Sequence, residues 1–292
     1  MSNLAPFSIF EFITVFSPLW VAIALFFILF APSYKVRGRI LKILSLLLLF
    51  LALFFLIVGV GGAIGQGDAP SVSSDELVRA LLYLKDEINA SCFAEYPEFS
   101  EISEKLYFSY KELHSLALSV FSTKPQIKFF GFPKVFSKMK ILASYSFFTS
   151  EISVNPLAPR YTAVFSAAHE MAHLFGVFCE GEANFYAYLS LVKTENSALV
   201  YSASLNAFEY LGRELNAISP DAYRKIYSAL SVKALSDMKE YVNFYSSVRG
   251  VAAQASDKAN SVILNAFDKL GSESYDKFTC LLVPYLNSSV SP

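Results

Sequence analysis

The sequence predicts a mainly α protein of the α+β class, with two membrane-spanning helices at the N-terminus and then a helical domain holding one small β-sheet. Three observations predict it. Apolar residues make up 54% of the 292-residue chain, with their excess at the N-terminus, which exceeds what an ordinary soluble domain carries. Over most of the remainder, apolar positions recur every three or four residues, the period of a helix with one buried face. The segment from Gln126 to Pro156 lacks that period and is rich in Phe, Ile, Val and Tyr, which favour strands.

Phe12 to Tyr34 and Ile43 to Gly67 contain no charged residue. A helix crosses a hydrocarbon layer of about 30 Å in roughly 20 residues, so each run is long enough to span. Leu46 to Val60 is apolar throughout, without the polar stripe that a soluble core helix keeps. Met1 to Phe10 carries no Lys or Arg, unlike the start of a cleaved signal peptide. Lys35, Arg37, Arg39 and Lys42 lie between the two runs, and Asp68, Asp75 and Glu76 follow the second. Basic loops stay in the cytoplasm, so both termini are expected outside it. The chain is thus expected in the cell membrane as a multi-pass protein with the bilayer as one partner. Residues 1–67 form the two-span anchor and 68–292 the extracytoplasmic domain, joined through the Gly/Pro/Ser stretch Gln66 to Ser74.

In the domain, Ser74-Asp75-Glu76 opens a helix, with acids in its first turn. A second helix runs from about Ser100 to Ser119 through Ile102, Leu106, Tyr110, Leu113 and Ala117. Strands are expected at Ile127 to Phe130, Ile141 to Phe148 and Ile152 to Val154. From Tyr161 the pattern is helical, with breaks at Gly176, Ser219-Pro220, Gly250 and Gly271. The net charge of −1, with no basic patch, argues against a nucleic-acid partner. Cys92, Cys179 and Cys280 are too few for a disulfide scaffold and select no pair.

The chemistry is carried by His169-Glu170-Met171-Ala172-His173, an H-E-x-x-H run within a helical stretch. Residues four apart share a helix face, so both imidazoles can address one ion. A catalytic Zn²⁺ takes three protein ligands and a water. Glu170, one residue after the first ligand, is placed beside the metal, where it can take a proton from that water as general base. Two core histidines flanking a glutamate is the bland alternative. It leaves a charged Glu unpartnered on a helix flanked by Ala, Val, Phe and Leu. A third ligand is expected from Cys179-Glu180-Gly181-Glu182-Ala183-Asn184, with Gly176 turning the chain after the motif helix. His114 lies far upstream on an ordinary amphipathic helix.

H-E-x-x-H followed by E-x-x-A-N resembles the glutamate-zincin plan. More closely, the chain resembles an uncharacterised bacterial family of two-span membrane proteins with H-E-x-x-H-x-x-G-x-x-x-E-x-E-A-N-F. The matching residues are His169, Glu170, His173, Gly176, Glu180, Glu182, Ala183, Asn184 and Phe185. Phe148 to Glu151 with Val154-Asn155, and more loosely Tyr201-Ser202 and Asn206, extend the likeness. The resemblance implies a zincin-like zinc metallopeptidase, a hydrolase of peptide or protein substrates with one Zn²⁺ per chain, held by His169, His173 and Glu180. Asn184 stands where the plan often has Asp, behind a ligand histidine. Glu182 is the alternative ligand, but two residues from Glu180 is about 200° of helix rotation. Asn184 shares the face of Glu180, which favours Glu180. Tyr201 is the expected oxyanion stabiliser, and the strands before the motif are the expected edge for a docked peptide. The competing expectation is a non-catalytic, zinc-stabilised membrane sensor or interaction module.

Overall fold

The computed structural model describes residues 8, 11, 15–30, 33–47, 49, 72–113, 124–146, 149–247 and 274–290. Helix α1 (Ser17–Phe30) has 14 residues, which rise about 21 Å and stop short of a hydrocarbon core of about 30 Å. Residues 34–47 form α2. Among the described residues no helix is long and apolar enough to cross a membrane. The described helix in the first apolar run is therefore shorter than the expected span. Most of the second expected span, from residue 50 onward, lies outside the described residues. The side chains of α1 stand open, with Phe26, Leu29 and Phe30 all more than half exposed.

The segment before α1 is tied to the domain. The Glu11 carboxylate, 3% exposed, accepts the backbone N–H groups of Gly131 at 2.8 Å and Phe132 at 2.7 Å. The Phe16 ring meets Phe132 edge-on at 6.1 Å.

Helix α3 (Ser74–Ser91) starts where the sequence places it. Ser73 and Glu76 close a reciprocal capping box, satisfying two N–H groups that a helix start leaves orphaned. Its buried face is Leu77, Leu81, Leu84 and Ile88. Helix α4 (Phe99–Leu113) buries Ile102, Leu106 and Tyr110; the expected continuation beyond it, with His114, lies outside the described residues.

Strands β1 (Ile127–Phe129), β2 (Ala143–Ser146) and β3 (Glu151–Val154) form a sheet of order β1-β3-β2. Fully buried β3 runs parallel to β1 and antiparallel to β2, with Ile152 opposite both Ile127 and Tyr145. A short helix, α5 (Pro133–Lys138), interrupts the expected strand region. Asn155 fixes the turn into β2: its buried side-chain amide donates to Ser137 Oγ at 2.9 Å and to the Ile141 carbonyl at 3.3 Å. Glu151 and Lys128 pair at 2.7 Å under the sheet. The likeness at residues 151, 154 and 155 thus falls on residues that hold the sheet together.

Helices α6 (Arg160–Leu174), α7 (Glu180–Lys193), α8 (Ser197–Ile218), α9 (Pro220–Tyr227), α10 (Val232–Ser247) and α11 (Ser274–Val290) complete the fold. Helix α8 is central, packed against α3, α6, α7 and α9. It is buried almost all round because Ala198, Ala203, Ala207 and Gly212 let neighbours close in. The Gly212 position is within 2.7 Å of the Tyr223 ring for any added Cβ.

Candidate metal centre

Three features of local structure aim the motif side chains. First, α6 puts His169 and His173 one turn apart on the face toward α7, with rings 4.7 Å apart. Second, Gly176 ends α6 at φ +89°, the left-handed conformation that glycine adopts without a Cβ penalty. The Val177 N–H then bonds the Ala172 carbonyl and the Gly176 N–H that of His173, each at 3.0 Å, as in a Schellman turn. That turn delivers the Val177 carbonyl to His173 Nδ1 at 2.7 Å. Third, Glu180 opens α7, where the helix dipole favours a carboxylate, and Asn184 one turn on brings Oδ1 to His169 Nδ1 at 2.8 Å.

Both Nδ1 atoms thus face carbonyl oxygens and act as donors, which leaves the Nε2 lone pairs pointing inward. The two Nε2 atoms lie 3.0 Å apart, and Glu180 oxygens lie 3.0 Å from one and 3.6 Å from the other. Three acceptor atoms so close repel one another unless a cation lies among them. One ligand atom from each of His169, His173 and Glu180 falls within 4.8 Å of the others, a cluster able to hold a metal ion. With only a proton available, His169 takes it. Burial disfavours its imidazolium, but the Glu180 hydrogen bond and the charges of Glu180 and Glu170 outweigh this and lift its pKa to about 9. Burial likewise pushes Glu180 up, and the His169 bond and both imidazoles overcome it, bringing the carboxyl down to about 2. Glu170 is raised by burial, against the pull of His173 and His169, and its carboxylate meets the backbone N–H of Tyr145 on edge strand β2.

Glu182 points the other way and pairs with Lys277 of α11 at 2.6 Å. Cys179 is the N-cap residue of α7 and stands outside the cluster. Tyr201 must be corrected as oxyanion stabiliser. It is buried and donates its hydroxyl to Asp237 Oδ2 at 2.7 Å, and it is not among the residues lining the cleft of about 820 Å³ beside the cluster. Asn206, which does line the cleft, is five residues on, about 140° round the helix. The expectation missed the stripe Asn206, Glu209, Tyr210 and Arg213, which lines the cleft from α8. Its signal was legible as polar positions at i, i+3, i+4 and i+7 on a helix that up to Gly212 otherwise holds small and apolar residues and Tyr201. Burial pushes the Glu209 carboxyl up to about 7, against the Tyr161 hydroxyl at 3.1 Å and the Arg213 charge.

Fold and site together define a mainly helical protein in which two consecutive helices and a sheet edge converge on a His-His-Glu cluster. A family model described as "Protein of unknown function (DUF3810)" matches residues 1–283, and the chain belongs to that family. No curated protein and no solved structure matches it.

Proposed function

We propose that the protein is a membrane-anchored zinc metallopeptidase that hydrolyses peptide or protein substrates on the extracytoplasmic side of the cell membrane. The carrying observation is the convergence of His169 Nε2, His173 Nε2 and a Glu180 oxygen within 4.8 Å, with Glu170 beside them on the same helix. The donor set suits zinc: two imidazole nitrogens and one carboxylate oxygen, the three protein ligands typical of a catalytic site. Among the described residues no fourth His, Cys, Asp or Glu joins the cluster, which favours an open site over a closed structural one and the enzyme over the sensor module. His169, His173 and Glu180 would hold a Zn²⁺ ion, which would supply Lewis-acid activation of water and of the carbonyl to be attacked.

The chain's own residues supply the rest. The Glu170 carboxylate accepts the proton of the attacking water and returns it to the departing amine nitrogen. Val177 and Asn184 hold the histidines in the tautomer that keeps Nε2 free. An extended substrate adds along the edge strand β2, because Ile141, Leu142 and Ala143 line the same cleft as His169 and Glu170. The membrane part of the proposal is supported by the exposed apolar side chains of α1 and by the uncharged run that contains it. Water would charge roughly 25 cal/mol for each Å² of such surface. Cleavage of an unstructured protein by the wild type and not by the zinc-loaded Glu170→Gln variant is the expected outcome. Equal cleavage by both would sink the general-base assignment.

A further inference from the structure

Helix α5 carries a surface that the metal cleft does not use. Phe132 just before it, Val135, and Met139 just after it are 43%, 43% and 36% exposed. They stand at i, i+3 and i+7, so they fall within about 60° of helix surface. Phe136, on the inward side of this stripe, is buried and stacks on Phe130 with ring centroids 4.0 Å apart. Lys134 and Lys138 are exposed along the other flank. The stripe adjoins the anchor: Glu11 holds the N–H groups of Gly131 and Phe132. Phe16, the residue before α1 begins, packs on Phe132.

We propose that α5 rests on the bilayer, with Phe132, Val135 and Met139 at the boundary between headgroups and acyl chains and Lys134 and Lys138 on anionic lipid headgroups. This rests on the membrane-anchored reading of α1. Two observations select lipid over a soluble partner. The Phe16–Phe132 contact puts the stripe level with the start of α1, so its apolar surface continues that of Leu19 and Trp20. An apolar stripe flanked by lysines also matches a helix lying in a headgroup layer. Three residues beyond α5, positions 141–143 line the cleft. The cleft mouth is thereby set near the lipid surface, and the substrate class narrows to membrane-proximal peptide segments.

Trp20 is the single tryptophan, which makes the two levels separable. The full chain is reconstituted into phosphatidylcholine vesicles containing phosphatidylglycerol, with ordinary or brominated acyl chains. Wild type reports on α1, W20F/V135W and W20F/M139W on α5, and W20F/S228W on the exposed end of α9. The expected result is loss of emission in brominated lipid for wild type and for both α5 variants, but not for S228W. Adding K134Q/K138Q should weaken the α5 loss. An α5 indole as bright in brominated as in ordinary lipid, while Trp20 is quenched, overturns the proposal and leaves the anchor intact. Unquenched Trp20 removes the anchor reading and this proposal with it. Quenching unaltered by the lysine substitutions overturns the headgroup contact.

Discussion

Residue by residue, the site is decided by which nitrogen of each histidine is engaged. Val177 and Asn184 oxygens take the Nδ1 hydrogens, so His169→Ala or His173→Ala is expected to abolish zinc binding, measured as metal content per chain, while Glu170→Gln keeps it. That Glu180 and Glu182 face opposite ways was legible in the sequence, because about 200° of rotation separates them. The structure puts Glu180 against His169 and Glu182 against Lys277. Glu180→Gln should therefore lower zinc affinity by more than the 10–100-fold typical of an outer-shell loss, and Glu182→Gln should leave it nearly unchanged. A larger loss for Glu182→Gln in chelator competition would reverse the assignment. Affinity also carries a proton signature. His169 in the metal-free protein holds a proton up to about pH 9, and a ligand histidine must be neutral. Zinc and proton compete, so zinc affinity should rise with pH up to about 9, by about tenfold per unit. Calorimetry in two buffers of different ionisation enthalpy at pH 7 should read release of a proton on binding. The oxyanion role was not legible: a tyrosine's identity says nothing of its helix phase against a cleft built from α6, α8 and α10.

At the scale of elements, legibility followed the strength of local signals. Ser73 and Glu76 announce α3 through the capping box, two strands fall within their expected segments, and β3 starts one residue early, at Glu151. Helix α5 was missed because six residues cannot display a period. Its one sign was Pro133 at the first helical position. Strand β2 then starts at Ala143 rather than Ile141, because the Ile141 N–H closes α5 on the Phe136 carbonyl at 2.9 Å. Gly176 is the element joint on which the site depends. Nothing lies within 4 Å of an added Cβ there, so the strain of Gly176→Ala comes from its φ of +89° alone. That substitution should cost about 1–2 kcal/mol of stability and also weaken zinc binding, since the Val177 carbonyl moves with the turn. Gly176→Asn, which tolerates the left-handed region better, should recover part of both. Urea midpoints and zinc affinities of the two variants give the comparison; equal losses for Ala and Asn would mean that the turn is not the cause.

For the whole molecule, the decisive contacts are those between its beginning and its domain. Glu11 binds the Gly131 and Phe132 amides, and the Ser8 hydroxyl donates to Glu151 at 3.4 Å. On the proposed membrane-anchored reading, these contacts require the N-terminal segment and the domain to share one side of the bilayer, so the chain between Glu11 and Ser74 would cross it an even number of times. This constraint owes nothing to charge, yet it agrees with the two uncharged runs around Lys35, Arg37, Arg39 and Lys42. On that same reading the charge rule would choose the side, placing the basic loop in the cytoplasm and both ends out. Protease added to cells with a permeable outer layer should degrade the domain, while a membrane-impermeant amine reagent labels Lys35 and Lys42 only after lysis. A protected domain with a labelled loop would invert the topology. Labelling of both in unlysed cells would mean that the chain does not cross the membrane. Glu11→Ala separates the tether from the spans. It should leave the loop's protection unchanged, since burial of two apolar runs does not depend on one carboxylate. It should speed proteolysis around Gly131 and Phe132, whose N–H groups lose their acceptor.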